Sequence, residues 1–281
     1  MRIAVVTGSR ADYGLLEWPV KVLRDHFQVE LWRLWSNPFE KAFEWTQMKI
    51  ERNKPDLVLV LGDRFEVLGA ATAAYLSRVP IAHIGGGDVT EGSYDDGMRD
   101  AISRLASVHF VTSTSAMARL TNMGYRNIHL VGNPGIDYIR HADWKRERPI
   151  KQSYVVVSYQ AETLDGTNQI DDVLMSLLPK HKVFILPNPD RGSKEIANRI
   201  RSYAKGREDC AVHDYLGHAE FLNLIFHCDE FIGNSSAMLY EAPELGIKTR
   251  MIGKRQKGRT IPWGDGQASE RIYNILRYTQ V

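Results

Sequence analysis

The chain has few cysteines, no long hydrophobic run and almost no net charge. Its two cysteines, Cys210 and Cys228, are too few for a disulfide framework and lack the spacing of a zinc site. Apolar runs such as residues 57–61 are far too short to span a membrane, and the opening MRIAVVTGSR has no apolar signal-peptide core. The 36 Lys and Arg against 34 Asp and Glu exclude a general attraction to nucleic acid. These absences predict a soluble cytoplasmic protein with no membrane or nucleic-acid partner.

Short apolar, β-branched runs alternate with amphipathic stretches along the 281 residues, which is typical of an α/β fold with parallel sheets. The pattern predicts strands at residues 3–7, 29–35, 57–61, 81–84, 108–111, 128–131, 154–158, 182–186, 211–214, 230–232 and 248–252. It predicts helices at residues 15–25, 39–53, 65–77, 96–106, 113–123, 169–178, 193–204, 219–228, 237–245 and 269–278.

A polar segment, HADWKRERPIKQ at residues 141–152, interrupts this alternation and predicts a linker. We therefore expect two Rossmann-like domains, an N-terminal one over 1–145 and a C-terminal one over 150–281. Their parallel sheets are expected to face each other across a cleft, since ligands of such sheets bind at the carboxyl ends of the strands. The last helix, 269–278, is expected to pack back towards the N-terminal domain.

Two polar turns follow predicted strands of the first domain. The turn GSRADYG at 8–14 places backbone N–H groups and Arg10 where an anion is favoured, although a solvated Arg10 fits the pattern equally well. It lacks the GxGxxG pattern of dinucleotide-binding proteins. Asp63 follows the apolar run LVLVL and is either a group of the site or the cap of the next helix.

The segment HIGGGDVTEGSYDDGMR at 83–99 combines a run of three consecutive glycines, residues 85–87, with four carboxylates. The glycines permit close approach of the backbone to a ligand. Asp95 and Arg99 are spaced as an i,i+4 pair, and clustered carboxylates such as Asp88 and Asp95 separate each other's pKa values, which suits acid–base chemistry. Helix capping explains Asp95 and Asp96 equally well. Nothing in the spacing favours a metal site with His83.

Two segments of the second domain offer groups for an anion. In GNSSAMLYEAP at 233–243, Ser235 and Ser236 can meet phosphate, and Glu241 can accept from ribose hydroxyls, with a plain serine N-cap as the alternative. The loop GKRQKGR at 253–259 carries four cations, including Arg255 and Arg259, and is either a diphosphate-binding loop or a solvated face.

In order and spacing, six motifs resemble the UDP-N-acetylglucosamine 2-epimerase family, most closely its hydrolysing branch. They are GSRADYG at 8–14, PDLVLVLGDRFE at 55–66, HIGGGDVTEGSYDDGMRDAI at 83–102, VGNPGID at 131–137, PNPDRG at 187–192 and FIGNSSAMLYEAPELGIKT with GKRQKGR at 231–259. The resemblance implies a GT-B-like fold in which uridine diphosphate binds mainly to the second domain. It implies a homodimer or a higher homo-oligomer, and no metal or cofactor.

Residue by residue, the resemblance assigns catalytic roles to Asp63, Asp88, Asp95 and Arg99. It assigns the binding of uridine diphosphate to Arg10, Asn234, Ser235, Ser236, Glu241, Arg255 and Arg259. The implied reaction removes the proton at C2 while UDP leaves C1; water then adds at C1, and C2 is reprotonated with inverted configuration. The product expected from UDP-N-acetylglucosamine is N-acetylmannosamine, as in sialic acid biosynthesis.

Three features depart from the family pattern. The chain is shorter than most members, chiefly between the second strand and residue 55. The segment VSYQAET at 157–163 lacks the family's histidine, for which Tyr159 or Gln160 is the available substitute. Asp88 stands where a glutamate is more frequent. Two alternatives to the hydrolysing epimerase therefore stay open: a GT-B glycosyltransferase that uses a UDP-sugar, and a nucleotide-sugar-binding protein without catalysis.

Overall fold

In the computed structural model the chain forms two compact α/β units. The structure describes residues 1–35, 37–164, 166, 168–177 and 179–279, apart from the side chain of Arg10. The first unit comprises Met1–Val89, Asp95–Ala142 and Thr260–Val281, and the second comprises Thr90–Tyr94 and Asp143–Arg259. The second unit thus ends earlier than the predicted domain 150–281, because the last helix belongs to the first unit.

The first unit is built on a six-stranded sheet in the order β2-β1-β3-β4-β5-β6, with every pairing parallel. Its strands are β1 (Arg2–Thr7), β2 (Gln28–Arg33), β3 (Leu57–Leu61), β4 (Ile81–Ile84), β5 (Val108–Val111) and β6 (Ile128–Leu130). Its helices are α1 (Arg10–Arg24), α2 (Phe39–Asn53), α3 (Phe65–Leu76), α4 (Asp96–Leu105), α5 (Thr114–Asn122), α6 (Pro134–His141) and the final helix of the chain.

Strand β3 shows that this sheet is buried between two hydrophobic clusters, one on each face. All five residues of its sequence LVLVL are buried. Leu57 and Leu59 join the hydrophobic cluster on one face, whereas Val58 and Val60 join the cluster on the other. A continuous apolar strand of this kind requires helices on both faces, which is the arrangement of a Rossmann-like unit.

The strand order also fixes where a ligand of the first unit binds. The chain proceeds outward from β1 to β2 and then returns to β3 on the other side of β1. Crevices form at such reversal points, beyond the carboxyl ends of the two strands. The turns that follow β1 and β3 carry Ser9 and Asp63, so the sheet topology brings these two predicted segments together.

The second unit repeats this plan on a five-stranded parallel sheet in the order β11-β10-β7-β8-β9, with the reversal between β7 and β10. Its strands are β7 (Tyr154–Ser158), β8 (His181–Ile185), β9 (Cys210–His213), β10 (Glu230–Gly233) and β11 (Thr249–Met251). Its helices are α7 (Ile170–Met175), α8 (Ser193–Ala204), α9 (His218–Phe226) and α10 (Glu241–Glu244). The last helix of the chain, α11 (Ala268–Leu276), follows in the first unit.

Two helices differ from the sequence-based prediction. The single helix predicted over 237–245 is wrong: a 3₁₀ helix, Ser236–Met238, precedes the short α10. Pro243 explains the break, since proline has no N–H to donate to residue 239 and its ring clashes with that carbonyl group. Helix α6 was not predicted, although Asn133 caps it and Pro134 occupies its first turn, both of which are recognisable start signals.

The segment predicted as a linker is packed against the second unit. Trp144 is buried and meets Phe226 edge to face, with 5.7 Å between the ring centroids. The side chain of Asn223 accepts a hydrogen bond from the Arg146 N–H at 2.9 Å and donates one to the Glu147 carbonyl group at 3.2 Å. These contacts attach residues 144–147 to helix α9.

Helix α11 is attached to the first unit by a buried carboxylate. Asp137 on α6 is 1% exposed and accepts hydrogen bonds from the N–H groups of Ala268 at 3.1 Å and Ser269 at 2.6 Å, which open α11. Ile272 and Leu276 then complete the hydrophobic cluster beneath α1. In the described part of the chain no helix is both long enough and apolar enough to cross a bilayer.

We expect Asp137→Asn to lower the free energy of unfolding by about 1–3 kcal/mol, because an amide nitrogen would face one of the two N–H donors. Urea unfolding of the variant and the wild type measures this difference. Asp143→Asn is the control, since that side chain is 89% exposed, and its effect should stay below about 0.5 kcal/mol. Equal effects of the two substitutions would contradict the capping role.

Candidate active site

A buried arginine organises the predicted carboxylates of the first unit. Arg99, on α4, is 2% exposed. Its guanidinium group contacts the carboxylates of Asp63 and Asp96 and donates to the Asp88 backbone carbonyl group at 2.9 Å. Burial lowers the pKa of Arg99, but Asp63, Asp96 and Asp88 outweigh this effect and raise it above its ordinary value. We call Asp63, Asp88, Asp96 and Arg99 the carboxylate cluster.

The turn after β3, which carries Asp63, is held in place by hydrogen bonds of a buried histidine. The His83 ring Nε2 lies 2.8 Å from the Gly62 carbonyl oxygen, and Nδ1 lies 3.0 Å from the Ser103 hydroxyl. Since a carbonyl group only accepts, Nε2 carries the proton and Nδ1 accepts from Ser103. Burial lowers the pKa of His83 to about 4, so the ring is neutral. Both ring nitrogens are occupied, and this histidine supports the turn rather than a metal ion.

The glycine run at residues 85–87 packs closely against Ser103 and Ala116, and Asp88, which follows it, lies beside Arg99. A Cβ atom on Gly86 would lie 2.8 Å from the Ser103 Oγ, and one on Gly87 would lie 2.5 Å from the Ala116 carbonyl oxygen. The glycines therefore permit close packing of the loop backbone against the rest of the first unit. The Asp88 side chain accepts a hydrogen bond from the Thr112 hydroxyl at 2.8 Å.

Asp95 and Asp96 both lie at the start of α4, where helix capping is the alternative to a role in the site. Asp96 contacts the Arg99 guanidinium group three residues further on. Asp95 is the N-cap residue, and its backbone carbonyl group accepts from the Arg99 N–H at 3.0 Å. Asp95 therefore stands at the first turn of the helix that carries Arg99.

Sequence reasoning missed Asp12, which lies in the turn that it singled out for Arg10. Ser9 caps α1 by accepting from the Asp12 N–H at 3.1 Å. The Asp12 Oδ2 atom is buried without a hydrogen-bond partner. Burial raises the pKa of Asp12 to about 6, opposed by Arg64 and Ser9 and reinforced by Asp63. The acidic residue in the first helical turn was the available signal. The side chain of Arg10 itself lies outside the described residues.

No group of three or more His, Cys, Asp and Glu side chains in the described chain is arranged to hold a metal ion.

In the second unit, Asn234 joins the two strands at the reversal point. It is fully buried; its Oδ1 accepts from the Gln160 N–H at 2.6 Å and its Nδ2 donates to the Gln160 carbonyl group at 3.0 Å. Both ends of this amide are thereby used within the fold. Asn234 orders the turn between β10 and the 3₁₀ helix, and its contact with the substrate stays a prediction.

The neighbouring Ser235 and Ser236 are half-buried at the start of the 3₁₀ helix. The Ser235 hydroxyl accepts from the Ala237 N–H at 3.3 Å, so the capping alternative holds for this residue. The 3₁₀ helix follows the carboxyl end of β10, which is the edge at which parallel sheets bind ligands.

Glu241 is a buried acid with an unsatisfied oxygen. It is 7% exposed, and its Oε2 atom has no hydrogen-bond partner. Burial raises its pKa to about 7, opposed by Arg259. The Arg259 Nε donates to the Tyr240 hydroxyl group, and its Nη1 lies 3.3 Å from the Gln256 Oε1. Arg255 reaches Asp190 of the motif PNPDRG, with 4.0 Å between Nη2 and Oδ2.

Both proposed substitutes for the missing histidine use their polar groups in hydrogen bonds within the second unit. The Gln160 side chain donates to the Ser158 hydroxyl at 3.2 Å and accepts from the Asn188 N–H at 2.9 Å. Tyr159 is fully buried, and its hydroxyl group accepts from the Gln169 N–H at 3.0 Å. These hydrogen bonds connect the turn after β7 to the segments around Gln169 and Asn188.

The two parallel sheets, each doubly covered by helices, define a GT-B-like fold of two Rossmann-like units. A profile of the UDP-N-acetylglucosamine 2-epimerase family matches residues 41–261. The chain therefore belongs to the UDP-N-acetylglucosamine 2-epimerase family.

Among relatives, the UDP-N,N'-diacetylbacillosamine 2-epimerase (hydrolyzing) of Legionella pneumophila is 26% identical, covering 98% of this chain and 95% of the relative. A polysialic acid biosynthesis protein of Escherichia coli is 31% identical over 92% of this chain and 80% of its own length. The crystal structure of the UDP-GlcNAc 2-epimerase from Neisseria meningitidis bound to UDP-GlcNAc has a TM-score of 0.80, with 16% identity over 99% of this chain and 100% of that one.

The pKa of Glu241 makes a testable link between pH and stability. The folded protein keeps this carboxyl group protonated up to about pH 7, whereas the unfolded chain releases the proton near its ordinary value of 4.5. The stability that this group contributes is therefore present below pH 4.5 and is lost as the pH rises through 7. Glu241→Gln, which never ionises, should raise the free energy of unfolding at pH 8 by about 1–3 kcal/mol and change it little at pH 4.

Urea unfolding at both pH values measures this effect. Glu244→Gln, an exposed change on the same helix, is the matched control and should give no pH-dependent difference. A Glu241→Gln effect of equal size at pH 4 and pH 8 would show that burial does not govern this carboxyl group.

Proposed function

We propose that the protein is a hydrolysing 2-epimerase of a UDP-linked N-acetylhexosamine, which releases UDP and the C2-epimerised free sugar. The observation that carries this proposal is the carboxylate cluster, in which one buried guanidinium group holds acidic residues at the carboxyl edge of a Rossmann-like sheet. Membership of the epimerase family supports it, as does the hydrolysing activity printed in the name of the Legionella relative.

The chemistry requires proton transfer at C2 and departure of a diphosphate from C1. Asp63, Asp88 and Asp95 supply carboxylates for removing and returning the C2 proton, since positioned carboxyl groups act as general acids and bases. Asp63 pairs with the Arg99 guanidinium group. A neighbouring cation favours the ionised form of a carboxyl group, and this form can act as a base. The sequence of steps is loss of the C2 proton with expulsion of UDP, addition of water at C1, and protonation at C2 from the opposite face.

The nucleotide groups belong to the second unit. Ser235 and Ser236 supply a helical turn for phosphate oxygens, and Glu241 accepts from ribose hydroxyls. Arg255 and Arg259 neutralise the charge that develops on the departing diphosphate, with Arg10 as the corresponding cation of the first unit. The reaction in this scheme proceeds without a metal or an organic cofactor.

The decisive experiment follows UDP-N-acetylglucosamine in deuterated water by proton NMR. The proposal predicts free UDP and N-acetylmannosamine with deuterium at C2. UDP-N-acetylmannosamine as the product would assign the chain to a non-hydrolysing epimerase. UDP-N,N'-diacetylbacillosamine is tested in parallel, and its turnover alone would assign the enzyme to another sugar. Binding of UDP without turnover of either UDP-sugar would leave a transferase that needs an acceptor, or a binding protein without catalysis.

Asp63→Asn should lower kcat by about 10²–10⁴-fold, because it removes a proton-transfer group of the cluster. The dissociation constant for UDP should change by less than about threefold, since the nucleotide groups lie elsewhere in the chain. Initial rates and calorimetric titration with UDP measure the two quantities. Asp100→Asn is the control: this carboxylate pairs with Arg119 outside the cluster. A fully active Asp63→Asn enzyme would remove Asp63 from the mechanism.

A further inference from the structure

The turn after β7 ends in a buried glutamate that the catalytic scheme does not use. Glu162 is 4% exposed. Its Oε1 and Oε2 atoms both accept from the Lys254 backbone N–H, each at 3.2 Å. Lys254 opens the run of four cations in Gly253–Arg259, which we call the basic loop. A carboxylate that receives a hydrogen bond from the first peptide of a loop fixes the point at which that loop leaves its strand.

The close fit at Gly253 shows how tightly this contact is made. A Cβ atom on Gly253 would lie 1.8 Å from the Glu162 Oε1, so any larger residue forces the two apart. Gly253 also has a φ of +80°, a conformation that side chains disfavour. The motif GKRQKGR therefore begins with glycine for two reasons: the backbone has a positive φ, and the Glu162 carboxylate occupies the place of a Cβ atom.

Glu162 is itself held in place by Tyr159. The Tyr159 hydroxyl donates to the Glu162 Oε1 at 3.4 Å while accepting from the Gln169 N–H at 3.0 Å. Burying a carboxylate is costly unless it is hydrogen-bonded, and the phenol and the loop N–H provide those bonds.

The basic loop is held a second time near its other end. The Gly92 N–H donates to the Lys257 carbonyl group at 3.3 Å. A Cβ atom on Gly92 would lie 2.1 Å from the Lys254 carbonyl oxygen. Contacts that involve its backbone therefore order the loop both at Lys254 and at Lys257.

We propose that Glu162 is a positioning residue that holds the basic loop in a diphosphate-ready conformation; this inference rests on the proposed function. A loop that is ordered before binding loses less conformational entropy when an anion arrives, so affinity for the diphosphate is higher. The turn after β7 in this chain then serves nucleotide binding through the loop, by hydrogen bonding and charge rather than by proton transfer.

The test compares Glu162→Gln and Glu162→Ala with the wild type in two assays. We expect the dissociation constant for UDP to rise about tenfold in Glu162→Ala and less in Glu162→Gln, which keeps one acceptor. KM for the UDP-sugar should rise with it, whereas kcat should change less. Without nucleotide, trypsin should cleave after the basic residues of the loop faster in both variants, as read by mass spectrometry. A merely structural role would lower the melting temperature without selective cleavage of this loop.

Glu195→Gln on α8 is the matched control, since Glu195 is exposed, and it should alter neither assay. If Glu162→Ala fails to fold, Gly253→Ala probes the same contact from the loop side and should weaken UDP binding. In a folded Glu162→Gln protein, unchanged UDP affinity together with unchanged loop cleavage overturns the inference. If the wild type does not bind UDP, the proposed function fails, and the trypsin assay alone decides whether Glu162 holds the loop.

Discussion

The buried guanidinium group of Arg99 is the interaction on which the first unit's site depends. It brings together carboxylates that would otherwise repel each other, and the burial of the guanidinium group strengthens its attraction to them relative to bulk water. Asp63 and Arg99 are 36 residues apart in the chain; Asp63 follows strand β3, and Arg99 lies in helix α4, which follows strand β4. The buried cation offsets the negative charge of the acidic residues at this edge of the sheet.

Neutral hydrogen bonds support that charged cluster. His83 has a low pKa because it is buried, and as a neutral ring it can donate to Gly62 and accept from Ser103 at the same time. A charged imidazolium could not accept from Ser103. The turn that presents Asp63 is therefore fixed by a histidine that takes no part in proton transfer.

The second unit uses backbone contacts where the first uses ion pairs. Asn234 pairs with the Gln160 backbone across the reversal point, and Glu162 receives the N–H that opens the basic loop. Each of these side chains orders a turn or a loop of the second unit. This division explains why residues of one motif differ in role: Asn234 orders the turn, while Ser235 and Ser236 lie on it.

Most strands and helices were predictable, since buried parallel strands such as β3 are continuous apolar runs and helices have a regular apolar period. Pro243 is also a local signal for the break between the 3₁₀ helix and α10, but the apolar pattern on either side of it predicts one continuous helix. At the site, the sequence indicated which segments matter because polar residues follow apolar strands. For Asp12 the only local signal was an acidic residue in the first turn of a helix, because the burial that raises its pKa depends on tertiary packing.

The sequence by itself determined the alternation of elements, the order of the motifs and the family, because these depend on local spacing. Only the tertiary structure decided that Arg99 joins Asp63 to Asp96, that the Gln160 side chain is used within the fold, and that Glu162 holds the Lys254 peptide. These contacts join residues that are distant in the chain, and their strength depends on desolvation, which is a property of the packed protein.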